Sequence, residues 1–166
     1  RLPTDDEWSA AVGPGKYPWG DEWPPPADAG NFPGTESTLG DAKDPRPESM
    51  PPKWQDAFPR TAPVGSCRVN GLGLHDLAGN VWEWCEDWYD AAILEKRRAQ
   101  GGGDPSDPKE LAEAQQGNVR RVVRGGSWYY GYGNRLRSAD RNGPQPDARY
   151  DHDGFRCVVG CSGSSL

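Results

Sequence analysis

The sequence predicts a loop-rich α+β domain with a core built on tryptophan. Two features of composition and one of pattern predict it. The 166 residues include 22 Gly and 17 Pro, which interrupt regular elements. Leu, Ile, Val and Phe make up only about 13% of the chain, whereas 8 Trp and 6 Tyr are present. Each large ring can bury roughly 150–250 Å². The pattern is one capped helix and three short strand-like runs, separated by long polar stretches. So few aliphatics would suit a disordered chain. A net charge of only −6 and the aromatic content point instead to a folded one.

The elements follow in chain order. Thr4 to Val12 reads as a helix, with Thr4 as N-cap and Glu7 three residues on to complete a capping box. Gly13-Pro14-Gly15 stops it. Up to about residue 60 the chain shows almost no periodicity. Tyr17, Trp19, Trp23, Phe32, Trp54 and Phe58 are spaced to pin an ordered loop there. Val81 to Cys85 has strand composition and alternation. Residues 91–118 are polar and suit an exposed excursion with one or two helical turns. Arg120 to Trp128 reads as a strand with a Gly-Gly kink, and Gly154 to Val159 as a closing strand. Residues 129–153 between them form a loop dense in Tyr, Gly, Asn, Asp and Arg.

Some functions are excluded by composition. No run of about 18 apolar residues exists, so no membrane span is expected. With a pI near 4.9, nucleic acid is not the expected partner. No 20–50-residue repeat is visible. Arg-Leu-Pro-Thr is no secretory leader, and the compartment stays open with the cytoplasm favoured. Cys67, Cys85, Cys157 and Cys161 include a single close pair, too few for a zinc knuckle or a disulfide scaffold.

The blocks RLPTDDEW (1–8), YPWGDEW (17–23), DAFPRTAPVGS (56–66), GLHDLAGNVWEWCEDWYD (73–90), RVVRGGSW (121–128), LRSADRN (136–142) and GFRCV (154–158) occur in order. Together they resemble the formylglycine-generating-enzyme, or sulfatase-modifying-factor, family. The resemblance covers nearly the whole chain and implies a single domain with a variant of the C-type lectin fold. Family domains usually carry a first strand and helix before RLPT, where this chain begins. The domain is therefore expected to be a trimmed one, or to have that part outside this chain.

The family implies three kinds of member. Some oxidise a sulfatase cysteine through a copper-binding pair in R-G-G-S-[WY]-x-Cys-x₄-Cys. Copper(I) requires soft thiolates, and here the two positions hold Tyr130 and Arg135. No copper oxidase is expected. Others belong to iron-dependent sulfoxide synthases, whose iron is held by histidines of a separate helical domain. Only His75 and His152 are present, so no iron site is expected. The third kind is the variable protein of a diversity-generating retroelement. There, adenine-directed mutation turns Asn codons into NNC or NNT, which cannot encode Trp, Met, Lys, Gln or Glu. Fifteen positions between residues 129 and 153 all hold permitted residues, while Gln145 does not and should be fixed.

This last resemblance implies a noncatalytic domain that binds an unknown protein or other macromolecule through residues 129–153. The expected contacts are Tyr129, Tyr130, Tyr132, Asn134, Asp140, Asn142, Asp147, Tyr150, Asp151 and His152, on a scaffold including Arg124, Gly125, Gly126, Arg141 and Arg156. Four of the six tyrosines lie in this stretch. Tyr offers large contact area at low rotamer cost, as in antibody loops. The alternative is a divergent family domain working with a separate catalytic module. A sugar-binding lectin ranks third, because Gln145-Pro146-Asp147 does not precede a Trp-Asn-Asp strand.

The family also implies one or two structural calcium sites. The first would take the side chains of Asn31 and Asp56 with the carbonyls of Phe32 and Phe58. The second would take the side chains of Asp76 and Glu83 with the carbonyls of Gly79 and Val81. Mixed carboxylate, amide and backbone oxygens suit calcium. Glu83 stands between Trp82 and Trp84, where a buried carboxylate needs a partner.

Overall fold

A computed structural model describes residues 1–36, 50–51, 54–89, 119–130 and 133–160. The expected excursion at 91–118 lies outside the described residues. Helix α1 spans Asp5–Val12. It starts where predicted because Thr4 Oγ1 accepts from Glu7 N at 3.1 Å while the Glu7 carboxylate accepts from Thr4 N at 2.8 Å. Gly13, at φ 87, ends it. No described helix is long and apolar enough to cross a membrane.

Three strands form one sheet. Strand β1 is Trp82–Trp88, β2 is Arg121–Arg124 and β3 is Asp153–Gly154. Their order is β2-β1-β3, with β1 antiparallel to β2 and parallel to β3. Trp84 opposes Val123, Trp88 opposes Arg121, and the register shifts between the two. Trp82, Glu83 and Cys85 are all buried, so β1 is covered on both faces at its start.

Two expected strands are shorter than read. The first ends at Arg124 because Gly125 and Gly126 stand at φ 95 and φ 75, outside the β region. The 126 position also admits no side chain: a Cβ there would lie 2.6 Å from Leu136 Cδ2. The closing strand ends at Gly154. After it Arg156 turns towards Glu83, and Val158 N pairs with the Arg1 carbonyl at 3.0 Å instead of extending along β1. Phe155 and Val159 are left exposed.

The aromatics do pin the long loop. Tyr17, Phe32, Met50, Trp54, Ala78 and Leu136 form one buried cluster with Trp19 and Trp23 against it. Tyr17 stacks on Trp19 at 4.7 Å. Phe58 is the exception, being only half-buried and outside the cluster. A second cluster joins Trp8 and Val12 of α1 to Leu77, Cys85 and Val122. Asn80, in the left-handed region at φ 61, ties the loops together. Its Oδ1 accepts from Ala62 N and Asn31 Nδ2, and its carbonyl accepts from Trp128 N.

Candidate functional site

The 129–153 segment stands on a clamp of charged side chains. Arg124 of β2 is fully buried and donates to the carbonyls of Asp140 and Ser138 and to the Asp5 carboxylate. Arg141 donates to the other Asp5 oxygen at 2.6 Å and to Ser9 Oγ at 3.3 Å. One carboxylate on α1 thus serves two guanidinium groups. The guanidinium of Arg124 also lies 4.4 Å from the Trp8 ring centre. The stretch between residues 136 and 142 is thereby held to the helix. Asn142 joins it by pairing its backbone with Val123 at 2.9 and 3.1 Å.

Above this clamp lies an open cavity of about 630 Å³. Its wall includes Tyr129, Tyr130, Asn142, Tyr150, Asp151 and His152, six of the ten expected contacts. The rings touch in sequence. Tyr129 packs edge-on against Trp128, and Tyr130 against Trp82. The His152 imidazole lies between Tyr129 and Tyr150, with ring centres 5.1 Å away on each side. Trp82 N donates to the His152 carbonyl at 2.8 Å, fixing this part of the loop to β1. Burial pushes up the pKa values of the Tyr130 phenol and the Asp153 carboxyl.

The remaining expected contacts are elsewhere. Asn134 is exposed on the 3₁₀ turn Gly133–Leu136, and Asp147 is exposed beyond the cavity wall. Asp140 faces Arg135 at 3.7 Å, because its segment is pulled in by Arg124. Tyr132 lies outside the described residues. Gly143, Pro144, Gln145, Asp153 and Arg120 complete the wall. Gly143 and Asp153 stood among the permitted positions, whereas nothing in the local sequence marked Arg120.

Tyr130, at the first oxidase position, is packed into the ring cluster, and Arg135, at the second, pairs with Asp140. Cys67 and Cys85 are buried; burial pushes their thiols up to about 11 and about 12. Cys157 is exposed, and Cys161 lies outside the described residues. His75 is a loop histidine whose Nδ1 lies 2.7 Å from the Cys67 carbonyl.

The two expected calcium sets differ in fit. Asn31 is fully buried, and its Oδ1 has no hydrogen-bond partner among the described residues. Asp56 accepts from Phe32 N at 2.7 Å and Phe58 N at 2.9 Å, which brings all four residues of the first set together. Burial raises the Asp56 pKa. Both groups fit a hard cation. In the second set, Asp76 Oδ1 is buried without a partner among the described residues, but Glu83 is taken. Its two oxygens accept from Arg156 at 2.6 Å each, and one accepts from Trp8 Nε1 at 2.8 Å. The Arg156 guanidinium already neutralises Glu83 and would repel a second cation, so this set does not fit an ion.

The comparisons agree with the motifs. The family model described as "Sulfatase-modifying factor enzyme 1-like domain" matches residues 1–161. The chain is 34% identical to a formylglycine-generating enzyme of Thermomonospora curvata over 96% of this chain and 49% of that protein. It is 32% identical to the inactive C-alpha-formylglycine-generating enzyme 2 of Bos taurus over 96% of this chain and 44% of that protein. The chain spans about half the length of these relatives. The solved structure of Treponema denticola variable protein 1 superposes with a TM-score of 0.59 at 25% identity, over 93% of this chain and 45% of that one. The fold is the loop-rich α+β, C-type lectin-like fold expected, and the chain belongs to the sulfatase-modifying factor enzyme 1-like family, that of the formylglycine-generating enzymes.

Proposed function

We propose that this chain is a noncatalytic binding domain that presents residues 129–153 as a diversified ligand surface. The observation that carries the reading is the cavity wall. Six of ten contacts named from codon logic and composition meet there, while Tyr130 and Arg135 occupy the positions of the oxidase pair. Aromatic and small polar groups on a rigid base suit recognition by complementarity. Likeness to a variable protein supports this reading. The partner is an unknown protein or other macromolecule.

The test is to sequence the source locus with several kilobases on either side from many clones. A near-copy of codons 127–156 carrying Asn at the substituted positions, with clones differing only there, supports the reading. An invariant locus without a near-copy overturns it. The second reading, a divergent family domain serving a separate catalytic module, is favoured by the 34% identity to a formylglycine-generating enzyme. An invariant locus together with an adjacent catalytic module would select it.

We also propose that the first set, Asn31, Asp56 and the carbonyls of Phe32 and Phe58, holds a structural calcium ion. The ion would supply charge to the half-buried Asp56 and a partner to Asn31 Oδ1.

A further inference from the structure

We propose that the cavity walled in part by Tyr129, Tyr130 and Tyr150 is a site for a primary alkylammonium group, with Asp153 as its counter-ion. The inference rests on the reading of this cavity as a ligand site and names the chemistry that the site takes.

Asp153 is the anomaly. Its side chain is only 7% exposed, it lines the cavity, and its Oδ2 has no hydrogen-bond partner among the described residues. The nearest cationic candidate is His152 Nε2, 3.9 Å from the other oxygen, beyond hydrogen-bond reach. A buried carboxylate without a partner is costly, and the fold does not neutralise this one. Of the other charges at the cavity, one carboxylate is ion-paired and one guanidinium is bound to a neutral carbonyl. Asp151 pairs with Arg60 at 3.3 Å, and Arg120 donates to the Gly143 carbonyl. A ligand ammonium would give the unpartnered Asp153 oxygen a donor.

The rings say which kind of cation. Aromatic ring faces attract organic cations and compete poorly for strongly hydrated metal ions; Tyr150, 55% exposed, keeps ring surface open at the cavity although His152 stacks on it. Among the described residues no three or more His, Cys, Asp and Glu side chains are grouped to hold a metal ion. The fold uses the same combination next door: the Arg60 guanidinium lies 5.5 Å from the Trp128 ring centre while pairing with Asp151. The missing hydrogen bond at Asp153 selects further. A primary ammonium carries three N–H donors, whereas a quaternary ammonium carries none. A free amine and a lysine side chain of a partner protein present the same head group.

The test is an amide-resolved NMR titration of the 166-residue chain at fixed ionic strength. The probes are n-butylammonium, tetramethylammonium and sodium chlorides, with Nα-acetyl-lysine methylamide as a fourth. Butylammonium is expected to shift the amides of residues 129–130 and 150–154 saturably, at least tenfold more tightly than tetramethylammonium. D153N should weaken it at least tenfold. Butylammonium should also raise the melting temperature of the parent and not of D153N. Equal shifts with sodium, equal affinity for tetramethylammonium, or undiminished binding by D153N would each overturn the proposal. Should D153N not fold, Y150L decides: its parent ring is 55% exposed, so the fold survives its loss, and binding must still weaken. Undiminished binding by Y150L would overturn the proposal too. Tighter binding of the lysine derivative supports the site with a protein lysine as source; tighter binding of butylammonium supports it with a free amine. An invariant source locus would overturn the diversified-surface reading and leave this titration standing. A varied locus with no ammonium binding would do the reverse.

Discussion

Glu83 of β1 holds Arg156 through both carboxylate oxygens, each 2.6 Å from a guanidinium nitrogen. The pair locks the chain after β3 onto the centre of the sheet. Arg156 also donates to the carbonyls of His75 and Asp76, so one side chain fastens three segments. R156A would leave Glu83, only 5% exposed, with the Trp8 N–H alone. Stranding a buried charge costs about 3–5 kcal/mol, and the partial exposure of Arg156 places this loss near the low end. At roughly 2–4 °C per kcal/mol, the melting temperature should fall by about 6–12 °C. R156A/E83Q should recover part of that loss, because no stranded charge remains. A single variant that melts within about 2 °C of the parent would refute the assignment.

The capping box predicts a pH dependence. Glu7 is held down to about 2, first by the hydrogen bond from Arg1 and next by that from Thr4 N. The folded chain therefore binds this proton less readily than the unfolded chain. The stabilisation is complete above the unfolded value of 4.5 and disappears as pH falls towards 2. Melting curves of the parent and E7Q should differ by a steady margin at neutral pH, with the gap closing across that window. Asp140 and Asp153 act with the opposite sign: burial raises their pKa values, so protonation favours the folded state. A gap between parent and E7Q that widens in acid would contradict the assignment.

What could be read from the sequence was mostly local. Thr4 and Glu7 are three residues apart, and their pairing follows from one turn of helix. The Asp5 clamp is different. Its arginines come from 119 and 136 residues away, and no spacing rule announces such a meeting. Gly125 and Gly126 were legible as a kink, but whether the strand resumes depends on the packing of Leu136 beneath them. The loop contacts divide the same way. Tyr150 and His152 were legible as polar-aromatic surface. Asp140 was not separable from them, because only the fold shows Arg124 drawing its carbonyl inwards.

The cysteines should differ sharply in reactivity. Burial pushes Cys67 up to about 11 and Cys85 up to about 12, so neither carries appreciable thiolate at pH 8. Cys157 is exposed. A disulfide reagent, read by mass mapping, should label Cys157 within minutes and reach Cys67 and Cys85 only on unfolding. Fast labelling of Cys85 in the native state would show that the sheet opens around it.

The cavity tyrosines should separate into a contact and a support. Tyr150 is 55% exposed and, among the rings of the described residues, stacks only on His152, so Y150A should leave the melting temperature nearly unchanged. Tyr130 is half-buried and touches Trp82, Tyr129 and His152. Aromatic pairs contribute about 0.5–1.5 kcal/mol beyond their buried area, so Y130A should lower the melting temperature by several degrees. Equal melting of the two variants would contradict this division.

The calcium proposal makes the sharpest demand on the fold. Asn31 is fully buried, pairs its backbone with Gly79 in an isolated bridge, and accepts Asn80 N at its carbonyl. Gly79 has no room for a side chain, since a Cβ there would lie 2.1 Å from that same carbonyl oxygen. An ion at Asn31 and Asp56 would therefore brace the start of the sheet and not merely a surface loop. Binding to the native state alone stabilises by RT ln(1 + [L]/Kd), about 4 kcal/mol at a thousandfold excess over Kd. Chelation should lower the melting temperature by roughly 8–16 °C for a chain of this length, and calcium should restore it where magnesium does not. D56N should melt at the chelated value with or without calcium. E83Q should keep the calcium response, because Glu83 is committed to Arg156. A calcium response lost in E83Q and kept in D56N would move the ion to the second set.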